Sequence, residues 1–262
     1  MDKLLEGKNA IIYGGGGGIG RGVALTFARE GAQVFLAGRT HEKLEAVAGE
    51  ITAVGGLAEV AVVDALDEAA VDQFVSQVAS TTGSVDVSFD LISRGDSQGT
   101  PLVDMTTDDL LRAVVNGLKT NFITARAAAR RMISRGSGVI LHLNSASGSE
   151  GFPGMGSTGP ADAATESFMR YLAAELGPQG VRVVGIWTAG VSDTLSKANF
   201  EAVAGENAPQ VSAAEQMIAG MAALRHAPHL AEVAETAAFL ASDRASGITG
   251  TMVNVTAGLV LK

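Results

Sequence analysis

The chemistry this chain advertises first is phosphate binding. Tyr13-Gly-Gly-Gly-Gly-Gly-Ile-Gly20 lies between an apolar run and a helical period. Residues without Cβ at such a junction let backbone N–H groups approach a pyrophosphate at the helix N-terminus. Gly14, Gly18, Ile19 and Gly20 are therefore candidate cofactor-binding residues, the alternative being a merely flexible loop. Gly38-Arg39 follows the second apolar run. An acid there would hold a ribose 2′-hydroxyl, whereas arginine pairs with a 2′-phosphate, so Arg39 favours NADP(H) over NAD(H). The alternative is an exposed arginine opening a loop. Asp90, Arg94, Asp96 and Glu150 fall near the carboxyl ends of strands, where such folds bind ligands; Asp90 is assigned to the cofactor side. His142 stands two residues before Asn144-Ser145, so strand alternation sends it to the face opposite Ser145 and marks it as a core residue. With no cysteine, thiolate catalysis and cysteine-based metal sites are excluded, and no metal is expected.

The elements that must position these residues alternate strand and helix from Asn9 onward, the mark of stacked βαβ units. Strands are predicted at Ala10–Tyr13, Gln33–Ala37, Ala58–Val63, Val85–Ile92, Gly138–Leu143, Val181–Trp187 and Thr251–Val255. Helical stripes run through Ile19, Val23 and Phe27; through Leu44, Val47, Ile51 and Val54; and through Val71, Phe74, Val75 and Val78. A long helix is predicted over Thr106–Arg135, with others at Asp162–Leu176 and Leu230–Ala241. Residues 191–228 hold only weak helical stretches and read as a substrate-covering insert. The expected fold class is α/β, a Rossmann-type doubly wound parallel sheet in three α/β/α layers, as one domain over residues 1–262.

The 262 residues, 47% of them hydrophobic, suffice for one core. The charged amino terminus MDKLLEGK and the lack of a long apolar run point to a cytoplasmic chain with no membrane partner. A net charge of −9 without a basic cluster argues against nucleic acid. The expected partner is a small-molecule substrate.

Over essentially its whole length the chain resembles the classical short-chain dehydrogenase/reductase family. The resemblance rests on the spacing of Gly14, Gly18 and Gly20, on Val63-Asp64-Ala65, on Leu143-Asn144-Ser145-Ala146-Ser147, and on the stretches Leu172–Val183 and Phe239–Gly250. It implies that Asp64 contacts the adenine ring, Asn116 serves a proton relay, and Ser145 binds a substrate carbonyl. The family's NNAG motif is Asp90-Leu91-Ile92-Ser93 here, and Thr188-Ala189-Gly190 resembles the SAG of enoyl reductases, which adds Gly190 to the cofactor set. The family's YxxxK motif is replaced by Thr158-Gly-Pro-Ala-Asp162, with no lysine between Lys119 and Lys197 and only two tyrosines, Tyr13 and Tyr171. A threonine hydroxyl is far less acidic than a phenol, and Asp162 brings negative charge where the family's lysine brings positive. Thr158 and Asp162 remain candidate catalytic residues, with a helix N-cap and a helix-dipole partner as their structural alternatives.

The leading expectation is an NADP(H)-dependent oxidoreductase acting on a carbonyl or conjugated alkene with atypical proton delivery. A dehydratase, isomerase or aldolase on the same scaffold, or a catalytically silent cofactor-binding subunit, are the alternatives. The resemblance also implies a homo-oligomer, tetramer or dimer.

Overall fold

The computed structural model describes residues 3–261; Met1, Asp2 and Lys262, which the expected domain includes, lie outside the described residues. In chain order the main elements are β1 (Asn9–Tyr13), α1 (Gly18–Arg29), β2 (Gln33–Gly38), α2 (His41–Ala53), β3 (Leu57–Val62), α3 (Glu68–Thr82), β4 (Val87–Asp90) and α4 (Thr107–Ile133). They continue as β5 (Gly138–Ser145), α5 (Thr158–Leu176), β6 (Val181–Thr188), α6 (Lys197–Ala204), α7 (Val211–Met221), α8 (Leu230–Ala241) and β7 (Met252–Val255). The seven strands form one parallel sheet in the order β3-β2-β1-β4-β5-β6-β7. The order reverses between β1 and β4, and the crevice outside their carboxyl ends is where this topology receives a ligand.

Adjacent residues of the inner strands β1, β2, β4, β5 and β6 bury on opposite faces, as a pleat covered on both sides requires. Ile12, Leu36, Phe89 and Leu141 pack with Val23, Phe27, Leu44 and Leu240 of α1, α2 and α8. Ile11, Phe35, Ile140 and Val183 pack with Phe74, Ile123, Met132 and Met169 of α3, α4 and α5. The three-layer Rossmann arrangement is thus built from the alternation itself.

The differences from the sequence reading lie at element ends. Val54 was expected on the buried stripe of α2, but the helix stops at Ala53 and Val54 is 80% exposed. Strand β4 spans only Val87–Asp90, because Asp90 Oδ1 accepts the Ile92 N–H at 2.9 Å and turns the chain away. Helix α5 starts four residues before Asp162, at Thr158. Within residues 191–228 the two weak stretches are α6 and α7. Among the described residues, no helix is long and apolar enough to cross a membrane.

Candidate active site

The turn after β1 depends on two glycines. Gly14 adopts φ +76°, and a Cβ there would stand 2.5 Å from the Leu91 carbonyl oxygen. A Cβ on Gly20 would stand 2.2 Å from the Gly14 carbonyl oxygen. The N-cap of α1, Gly17, offers no side-chain cap, so the first N–H groups of the helix are left for an anion. From this turn a cleft of about 500 Å³ runs across the ends of β1, β2 and β4, lined by Gly14, Arg39, Lys43, Asp64, Arg94 and Asn116 among others. Arg39 and Lys43 are both exposed on this cleft. Asp64 lies at its rim, where Oδ1 accepts the Leu66 N–H at 3.0 Å.

Not every expected cofactor residue borders that cleft. Gly18 lies under Thr194, whose Cγ2 would be 3.0 Å from a Cβ there, and Gly190 lies against Ile218 and Leu195 of the insert. Ile19 packs partly buried against the core of α1, α2 and α8. Asp90 is buried beneath the crevice, and burial raises its carboxyl to a pKa of about 6 against the Ile92 N–H that lowers it.

The catalytic candidates converge from β5, α5, α4 and the loop after β4. Ser145 Oγ donates to Asp162 Oδ2 at 2.5 Å. Asn144 Nδ2 donates to the Asp162 backbone carbonyl at 3.2 Å. The Asp162 side chain is fully buried, and Arg94 Nη2 forms an ion pair with its Oδ1 at 2.7 Å. Burial raises the Asp162 pKa to about 6, with Arg94 and then the Ser145 hydroxyl pulling the other way. Asn116 Nδ2 donates to the Arg94 carbonyl at 3.1 Å.

Helix α5 matches neither structural alternative. Thr158 is no N-cap: Ser157 holds that position without capping, and Thr158 is the first helical residue, buried, its hydroxyl accepting from Gln98 Nε2 at 2.9 Å. Asp162 lies beyond the first turn and answers to Arg94 rather than to the helix dipole. The negative charge expected at 162 is therefore matched by a cation from another element. No sequence pattern singles out Gln98 or Lys43, and in the sequence Arg94 reads only as a loop charge.

Neither tyrosine reaches this place. Tyr13 is buried edge-on against Phe74, its ring centroid 6.2 Å away, and burial pushes its phenol far above the ordinary value. Tyr171 is exposed on α5. His142 is buried over Gly185, where a Cβ would stand 2.5 Å from its Cε1. Burial first, and the Arg94 charge second, lower its pKa to about 3, so it stays neutral.

The family described as Enoyl-(Acyl carrier protein) reductase matches residues 15–260. Oxidoreductase asL5 of Sarocladium schorii is 33% identical over 97% of this chain and 96% of its own length. The 7alpha-hydroxysteroid dehydrogenase of Escherichia coli K12 is 29% identical over 97% of this chain and 94% of its own. A crystal structure titled NAD+-Bound Xylitol Dehydrogenase superposes with a TM-score of 0.87 at 25% identity, covering 98% of this chain and all of that one.

Proposed function

From the chain's membership of the short-chain dehydrogenase/reductase family, we propose that it is an NADP(H)-dependent oxidoreductase of carbonyl or conjugated-alkene small molecules, with Asp162 and Ser145 handling the proton. The observation that carries this reading is the 2.5 Å hydrogen bond from Ser145 to a buried carboxyl at the end of β5.

The residues present fit a nicotinamide dinucleotide. The Gly14–Gly20 turn leaves room where a Cβ would collide with backbone, and uncapped N–H groups of α1 suit a pyrophosphate. At the end of β2, Arg39 offers a bidentate partner for a 2′-phosphate and Lys43 a second positive charge on the same cleft. Asp64 serves the adenine end, and Asn116 borders the crevice near Arg94. When bound, the nicotinamide ring supplies or accepts a hydride.

Proton transfer is assigned to this chain's own groups. With Asp162 protonated, its carboxyl O–H donates to Ser145 Oγ, and the Ser145 O–H is released toward the substrate. As the substrate carbon gains hydride, the Ser145 proton passes to the substrate oxygen, or to the enolate formed from a conjugated alkene, and the Asp162 proton replaces it. Asp162 ends as a carboxylate beside Arg94. Oxidation runs the same transfers in reverse. Thr158, held by Gln98, shapes the substrate side without supplying the acid. The reading extends to a homo-oligomer joined through α4, since Leu111, Val115, Leu118 and Phe122 leave an apolar stripe exposed along it.

The test is deuteride transfer from 4-deuterated NADPH to a panel of ketones, enones, enals and imines, read by mass spectrometry. Label should enter at least one product, and Asp162→Asn should slow that transfer about a hundredfold or more. Reduction by the native enzyme should weaken as pH rises above about 6, because the required form of Asp162 is the protonated one. No transfer to any class, or full activity in Asp162→Asn, overturns the reading.

A further inference from the structure

A fully buried carboxyl beside a serine is tolerated only where its surroundings compensate it. At Asp162 the compensation arrives from a different element. Arg94 leaves the loop after β4 and enters between α4 and α5, where Nη2 meets Asp162 Oδ1 at 2.7 Å and Asp96 Oδ1 at 2.9 Å. Its Nη1 stands 3.5 Å from Asn144 Oδ1 on β5.

The entry route is built into α4. A Cβ on Gly117 would stand 2.7 Å from Arg94 Cδ, so the aliphatic stem of the arginine occupies the volume that the glycine leaves. The preceding residue, Asn116, hydrogen-bonds the Arg94 carbonyl at 3.1 Å. Consecutive residues of one helix thus admit the side chain and hold its backbone. Arg94 also lines the dinucleotide cleft beside Ser93 and Gly95, so one guanidinium connects that cleft with the Ser145–Asp162 pair.

We infer that Arg94 is the positioning cation of this active site: seated in the slot left by Gly117, it fixes the Asp162 carboxyl against Ser145 and governs when that carboxyl holds its proton. This rests on the proton-transfer reading above. The charged groups set against Asp162 are Arg94 and Asp96 from the loop after β4. Asp90 on β4 and His142 on β5 both feel the Arg94 charge, and His142 is kept neutral by burial. From α4 come Asn116 and Gly117, which are uncharged. Arg94 opposes the rise that burial imposes on Asp162, so its removal must shift the carboxyl further upward.

The experiment is a ¹³C NMR titration of the Asp162 carboxyl, assigned by its loss in Asp162→Asn, in the native chain, Arg94→Met and Arg94→Lys. The midpoint should move up by a unit or more in Arg94→Met and return most of the way in Arg94→Lys; the upper limb of the pH–rate profile for reduction should move with it. An unchanged or lowered midpoint in Arg94→Met overturns the inference. If Arg94→Met does not fold, the triple variant Arg94→Met with Asp96→Asn and Asp162→Asn, which removes the cation and both of its carboxylate partners, should fold. Failure of that triple variant as well would make Arg94 a general structural residue and overturn the inference. The titration needs neither cofactor nor turnover, so it stands apart from failure of the deuteride-transfer test.

Discussion

At the residue scale, the ion pair between Arg94 and Asp162 changes what a reconstruction of the family motif would do. The double variant Thr158→Tyr with Asp162→Lys would press an ammonium against the buried Arg94 guanidinium. Leaving a buried charge without its partner costs roughly 3–5 kcal/mol, and like charges make it worse. Chemical denaturation should find the double variant destabilised by at least that order, with adding Arg94→Met recovering most of it. His142 gives a second prediction. Its folded pKa of about 3 lies below the ordinary 6.5, so the unfolded chain binds the extra proton between those values and stability falls as pH drops through that window. His142→Leu should therefore stabilise the protein, by an amount larger at pH 4.5 than at pH 7.5. An equal effect at both values would show that His142 titrates normally when folded. The sequence displayed Thr158 and Asp162 because their flanks fix the register. It hid the role of Arg94, because a pairing between residue 94 and residue 162 is made by tertiary packing through Gly117, and no local pattern encodes it.

Elements were legible where a single period dominates. Val71, Phe74, Val75 and Val78 of α3 all bury as their spacing requires, and Leu230–Ala241 is helical over the predicted span. Ends were not, because they are set by individual hydrogen bonds: the Asp90 contact to Ile92 shortens β4, and α2 stops one residue short of Val54. The β1–α1 junction was readable since glycine is the one residue whose absence of side chain is visible in sequence. Gly20→Ala tests that junction. Its methyl would stand 2.2 Å from the Gly14 carbonyl oxygen, so the turn must open. Calorimetry should show dinucleotide affinity reduced at least tenfold, while circular dichroism retains the α/β signature; unchanged affinity would mean that the turn does not hold the pyrophosphate.

For the whole molecule, the parallel sheet brings the glycine turn, Arg39 and Ser145 to the carboxyl ends of strands from distant parts of the chain, and Arg94, which lines the cleft there, reaches Asp162 on α5. The same architecture leaves Leu111, Val115, Leu118 and Phe122 on the outer face of α4 at 37–49% exposure, a continuous apolar stripe of the kind that marks an interface. Light scattering after chromatography should find a dimer or tetramer that Leu118→Glu with Phe122→Glu converts to monomer. A native monomer would remove that assignment. In the proposed reaction the cleft takes NADP(H) and the altered proton machinery serves it. Calorimetric titration of the native protein with NADPH and with NADH tests it most directly. Binding should be saturable, with NADPH at least tenfold tighter than NADH and that margin lost in Arg39→Leu; binding of neither nucleotide, or a preference for NADH, would rule out an NADP(H) site in this cleft.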